Sequence, residues 1–503
     1  MDFIRNFPFF SIILAMFSGI ISAVLGKKSS RVICIVMLCI VLGLSASVLG
    51  YTLITGESFT YMMGHFPAPW GNEIRAGVLE GLMATAFCII MLLSIFGGMS
   101  HIPLDIDDQK INLFFVLIDL MMSSLLALIY TNDLFTGYVF VEINTIAACG
   151  MIMIRQNGHG IVAAIRYMIM SLIGSGLFLI ALSLLYDITG QLLMVPANEA
   201  ITQIFAEGSY KVPLLVVIGL MAVGLAIKSG LYPFHSWIPE TYGYATPTAS
   251  AILSSLVSKG YIILLIKIFY RVIGIEAIMT SKVLNVLFIF GVSAMVMGSI
   301  HAIQQKDLRK LIAFSSVAQI GYIYMGIGLG TEAGMTAAIF HILTHAATKS
   351  LLFISAFGLY EVSGGKTDYR SLTGAALRNR TAGIAFAIGS LSMVGFPMLS
   401  GFISKLLFAT ASFEKPHKML ITILALAVST ILNAIYFLRM VITIYSTPVE
   451  GDEPRENFIP EHVAGKSRSN VAASVLLIAL NLFLGLFSWV VVDMIEKGLG
   501  MFG

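Results

Sequence analysis

Apolar runs of about 20 residues, long enough to cross a bilayer as helices, follow one another along this 503-residue sequence. No other feature constrains the fold as strongly, because backbone polar groups in lipid must be satisfied within the protein. The runs lie near residues 8–26, 31–54, 77–98, 111–130, 134–153, 166–186, 213–237, 247–270, 281–302, 312–329, 334–361, 381–412, 419–445 and 469–492, which makes about fourteen spans. Hydrophobic residues make up 58% and charged residues 11%, against about 25% charged in a soluble domain. The expected fold class is therefore all-α, a polytopic membrane protein whose single membrane domain covers 1–503. The connections 55–76, 187–212 and 446–468 are the places for surface caps or subunit contacts. The last holds Glu450, Asp452, Glu453, Arg455 and Glu456 and is the most polar stretch.

Basic residues set the expected orientation. Lys27, Lys28, Arg31, Lys306, Arg309, Lys310, Lys366, Arg378 and Arg380 fall in one set of alternate connections, while the other set is sparse. Both termini are thus expected on the non-cytoplasmic side. The segment from Phe7 to Leu25 lacks a basic n-region and a small-residue cleavage site, so no cleavable signal peptide is expected. Cys34, Cys39, Cys88 and Cys149 all lie in apolar runs and read as buried thiols. No C-x-x-C pair, Walker loop or dinucleotide fingerprint is present. No cofactor, metal or nucleic acid is expected, and no active site of the chain's own is seen.

Several charges fall inside the spans. Lys228 ends an uncharged stretch, Val212 to Ala226, and is followed by Gly230 and Pro233, which interrupt a helix. Ser392 to Pro397 forms a second interruption, followed by Lys405. Two interrupted spans five helices apart, running in opposite directions, are what an inverted repeat leaves in sequence. Units of 111–270 (spans four to eight) and 281–445 (nine to thirteen) fit, with 1–110 holding three peripheral helices and 469–492 the last. Lys259 and Lys349 also sit well inside spans, as do Glu142 and Asp119. A charge at the bilayer centre costs about 3 kcal/mol on insertion scales, and repetition of that cost points to use. Burial disfavours the charged form of a lysine and a nearby carboxylate favours it, so moving a carboxylate loads or unloads a proton. Snorkelling is the plain alternative for an isolated lysine, and Lys267 and Arg271 are read as such anchors. For Asp119 the alternative is a helix–helix hydrogen bond.

His341, His345 and Lys349 are spaced i, i+4, i+8 and share one helical face. A metal site lacks both the His-Glu-x-x-His pattern and clustered carboxylates. Two histidines on one helix cannot bind opposite faces of a haem. A proton relay with water suits histidine, which titrates near neutral pH.

Lys228-Ser229-Gly230, Phe234-His235-Ser236-Trp237-Ile238-Pro239, Pro247 and Lys259-Gly260 resemble the antiporter-like subunits of respiratory complex I, Mrp-type sodium/proton antiporters and membrane-bound energy-converting hydrogenases. So do Asp307 to Ser316, Gln319, Gly321-Tyr322, the His341/His345/Lys349 helix, and Gly395-Phe396-Pro397 to Lys405. The resemblance is strong from about Thr131 to Phe408. It implies a fourteen-helix bundle with two inverted five-helix repeats in a prokaryotic cell membrane. It further implies Glu142 and Lys228 as an ion pair, Lys259, His341, His345 and Lys349 as a central relay, and Lys405 as the terminal lysine. The implied partners are other membrane subunits, further antiporter-like subunits among them, with protons, alone or together with sodium, as the transported species. One departure is that several members carry a histidine in the eighth span where this chain has Ala251 to Ser255; Ser254 or Ser255 with water would stand in. Lys405 and the absence of a long lateral helix lean towards an Mrp D-type subunit or its hydrogenase counterpart. The rival readings are a stand-alone transporter of a small solute and a quinone- or redox-associated subunit.

Overall fold

The computed structural model describes residues 2–66, 71–447 and 467–502. Most of the polar 446–468 connection, residues 448–466, lies outside them. Among the described residues, thirteen helices are long and apolar enough to cross a membrane. The expected twelfth span is instead two shorter helices, Arg380–Val394 and Ser400–Ser412. The sixth span starts earlier than expected, at Gly158, because Asn157 caps it by accepting the Gly160 N–H at 2.6 Å. The 469–492 run divides into Arg468–Leu486 and Ser488–Gly500 at Phe487.

Burial separates centre from periphery. The eighth span (Pro247–Ile273) and the eleventh (Glu332–Glu361) are buried throughout their apolar windows, and the tenth (Leu308–Leu329) almost so. Only a third of the second span's window (Lys27–Thr55) is buried, and its outer face carries exposed Val32, Val36 and Ile40. Apolar exposure on this scale suits lipid. Cys39 belongs to that outer face and is exposed, so the expectation of four buried thiols holds for the other three alone.

The connections gather on two opposite faces. On one, the strands Phe59–Met62 and Glu73–Ala76 pair as an antiparallel hairpin, a small exception to the all-helical expectation. Bridges Ile74↔Thr131 and Asp133↔Leu193 tie it to the surface helix Met194–Glu207. On the other face, Asp307 bridges Asp368.

Two readings are corrected by this packing. Lys267 is fully buried and donates to the carbonyls of Ile129 (2.6 Å) and Thr131 (2.5 Å). Arg271 is buried beside Glu80. Neither snorkels from an open, lipid-facing helix end: Lys267 is enclosed by the end of the fourth span, and Arg271 packs beside Glu80 at the start of the third. Asp119 takes the plainer reading: its Oδ2 accepts from Ser18 (2.8 Å) and Ser22 (3.3 Å), joining the first and fourth spans.

A candidate proton-conducting line

The two interruptions share one backbone device. At the first, the Leu231 N–H donates to the Ala226 carbonyl at 3.0 Å, with Gly230 left-handed. At the second, the Phe396 N–H donates to the Leu391 carbonyl at 2.9 Å, with Gly395 left-handed. This is the helix-ending geometry that glycine permits. Each leaves a half-helix whose negative end lies at the break, and each break has a lysine. Lys228 lies in the last turn before Gly230. Lys405 comes from the following half-helix and donates back across the break to Met393 (3.1 Å) and Val394 (2.6 Å) carbonyls. A Cβ at Gly395 would lie 3.1 Å from the Lys405 stem, so the glycine also clears the lysine's path.

The residues singled out in the sequence fall along one line. Lys228 Nζ donates to Glu142 Oε1 at 3.0 Å and Thr145 Oγ1 at 2.7 Å. The lysine side chain is 1% exposed and the glutamate 24%. Tyr261, two residues beyond Lys259, contacts both Thr145 (3.5 Å) and Asn144 (3.1 Å). The eighth span loosens into a π-helical turn at Leu253–Val257. Lys259 Nζ donates to the Ser254 carbonyl there and to Ser258 Oγ. Ser254 Oγ lies 3.0 Å from Ser316 Oγ. Lys349 Nζ donates to the Ile312 carbonyl at 2.9 Å and to Ser315 Oγ. The Asp307 to Ser316 motif is thereby explained: Asp307 caps the tenth span, Ser315 meets Lys349, and Ser316 meets Ser254, whose carbonyl accepts from Lys259.

Lys259, Lys349 and His341 all lie within electrostatic reach of His345. The two histidine rings stack at 6.0 Å. His341 Nδ1 is 2.6 Å from Ser404 Oγ, while its Nε2 and both nitrogens of His345 are buried without a hydrogen-bond partner among the described residues. Tyr322 stacks on His341 at 5.3 Å and lies 5.9 Å from Lys405 Nζ. The line thus runs from Glu142 and Lys228, through Lys259, Lys349, His345 and His341, to Lys405. Unpartnered imidazole nitrogens in a buried polar strip are what internal water satisfies.

Residues 131–432 match the family described as NADH:quinone oxidoreductase/Mrp antiporter, transmembrane. The chain belongs to this antiporter family. It is 30% identical to NADH-quinone oxidoreductase subunit N of Desulforudis audaxviator, across 95% of this chain and 94% of that protein. It is 24% identical to the D-type Na(+)/H(+) antiporter subunit of Bacillus subtilis, across 96% and 94% respectively. Chains of two solved assemblies share the fold: the Mrp complex from Dietzia sp. (TM-score 0.84, 22% identity, 99% of this chain and 97% of that one) and an archaeal membrane-bound sulfane sulfur reductase (TM-score 0.85, 22% identity, 100% and 98%). The stretch matched to the antiporter family contains every residue of the line.

Sequence reasoning missed several polar groups. Asn481 Oδ1 accepts from Thr348 (2.7 Å), Ser400 (2.9 Å) and Ser392 (3.2 Å), fastening the second break to the histidine helix. Its signal was available: an amide in the middle of a lipid-facing helix usually has an interhelical partner. His301 stacks on His235 of the first break at 5.8 Å, and nothing in its local sequence marks it.

Proposed function

We propose that this chain is a proton-translocating membrane subunit of a multisubunit assembly of the Mrp, complex I-like or hydrogenase kind. Protons would pass between Glu142–Lys228 and Lys405 by way of Lys259, Lys349, His345 and His341. The observation that carries this reading is the cluster of unpartnered histidine nitrogens between two buried lysines. Residues 111–270 and 281–445 are read as the two inverted halves, each contributing one broken helix. The two ends of the line support a place among neighbours. Glu142 lies in an outward stripe with Phe135, Val139 and Ile146, all exposed. Lys405 borders a lateral cavity of about 470 Å³ lined by Phe402, Leu406 and Ile423. A carboxylate and an ammonium at mid-membrane need cover, and adjoining membrane subunits would supply it. The relatives named as sodium/proton antiporter subunits bring sodium exchange within this reading, in a prokaryotic cell membrane with both termini outside the cytoplasm. In the purified assembly, Lys259→Ala and Lys349→Ala are each expected to abolish proton transfer while the subunits stay associated. Proton and sodium fluxes measured in vesicles decide the matter, and unchanged transfer in both variants would overturn the proposal.

A further inference from the structure

A second concentration of buried charge lies apart from the line, near the Phe59–Ala76 hairpin. It centres on Arg271, at the end of the eighth span. Its side chain is 1% exposed, and none of its three guanidinium nitrogens has a hydrogen-bond acceptor among the described residues. Glu80 Oε1 is 3.6 Å from Nη1, which offsets charge but is too long for a hydrogen bond. The other Glu80 oxygen accepts the Gly77 N–H at 3.0 Å. Arg271 lines a cavity of about 520 Å³ whose wall also includes Arg75, Asn198 and Thr202, with exposed Glu276 among its lining residues.

A second cavity, of about 290 Å³, adjoins it, with Tyr270, Ile275 and Phe502 lining both. Apart from Thr331 and Glu332, its side-chain lining is apolar or aromatic. Guanidinium groups match phosphate oxygens with paired donors, and an apolar lobe beside them matches an acyl chain. We infer that this two-lobed cavity binds an anionic phospholipid, its phosphate on Arg271, with Arg75, held by Ser58 Oγ and the Met501 carbonyl, adding positive charge, and one acyl chain in the apolar lobe. Free phosphate would answer the arginines and leave the apolar lobe without an occupant of matching chemistry.

The test takes the full chain purified with its membrane partners and stripped of lipid. Retention of phosphatidylglycerol, phosphatidylcholine and inorganic phosphate is measured by native mass spectrometry. Wild type is expected to keep one phosphatidylglycerol that Arg271→Gln holds about fivefold more weakly, as loss of one cation near a lipid headgroup predicts. Thr202→Trp, placed on an exposed position of the surface helix, fills the arginine lobe without removing buried charge and should have the same effect. If Arg271→Gln fails to assemble, Thr202→Trp decides alone. Equal retention of the two lipids, or undiminished retention in Thr202→Trp, overturns the inference. Displacement of the lipid by millimolar inorganic phosphate would make this a free-anion site and also overturn it.

Discussion

Lys228 and Glu142 differ in the freedom their surroundings leave them. The lysine is enclosed: Gly174 packs so closely that a Cβ there would lie 3.0 Å from its Cγ, and Thr145 holds its ammonium. The glutamate stands partly exposed on an outer face. Any switching therefore falls to the carboxylate, and Lys228 keeps its place while its electrostatic partner moves. Glu142→Gln removes that bias while preserving shape. Lys228→Arg keeps the charge but does not release its proton. Both are expected to lower coupled transport about tenfold, the effect of one pKa unit or about 1.4 kcal/mol, with assembly assayed in parallel. Wild-type transport by an assembled Lys228→Arg variant would remove proton release at Lys228 from the mechanism. At this scale the sequence was a good guide where a charge stood next to a helix break, as at Lys228 and Lys405. It misled at Lys267 and Arg271, because nearness to a span end is the same in sequence whether the side chain stands open at the bilayer surface or is enclosed by the third and fourth helices.

The broken helices depend on close backbone approach. A Cβ at Gly401 would lie 1.8 Å from the Ser392 carbonyl oxygen, across the second interruption. Gly219, also within an apolar helix, has nothing within 4 Å of such a Cβ. Gly401→Ala must therefore push the two half-helices apart, at a cost of about 1–3 kcal/mol for overpacking, and should weaken the hold of Lys405 on the Met393 and Val394 carbonyls. Gly219→Ala should leave stability and transport unchanged. Thermal unfolding and transport of both variants check this; equal behaviour would mean that the break tolerates spreading. The breaks were legible because Gly and Pro interrupt helices by covalent geometry. The π-helical turn at Leu253–Val257 was not, since Leu-Ser-Ser-Leu-Val carries no such residue. Its effect, a carbonyl turned to Lys259, shows only in three dimensions. Asn481 itself was legible as a mid-span amide, but its partners Thr348, Ser392 and Ser400 were not, because they come from helices far away in sequence.

At the level of the whole molecule, the packing joins connections in two sets. The hairpin strands, the Asn132 turn and the Met194–Glu207 helix meet on one face through backbone bonds from Asn132 to Glu73 and from Met194 to Asn132. The Leu308 N–H donates to the Thr367 carbonyl on the other. The structure thus groups the same alternate connections that the basic residues had separated. The face with Lys306, Lys310 and Lys366 is the richer in Lys and Arg and is the one expected inside. Gln191 and Lys366 are both exposed and stand on opposite faces. In a background lacking the four native cysteines, Gln191→Cys should react with a membrane-impermeant maleimide added to intact cells. Lys366→Cys should react only after the membrane is opened. Orientation also fixes the direction of the proposed path, since the segment following the first break, with His235 and His301, then leads from Lys228 towards the cytoplasm. The reverse labelling pattern would invert both assignments together and make that segment the outer mouth.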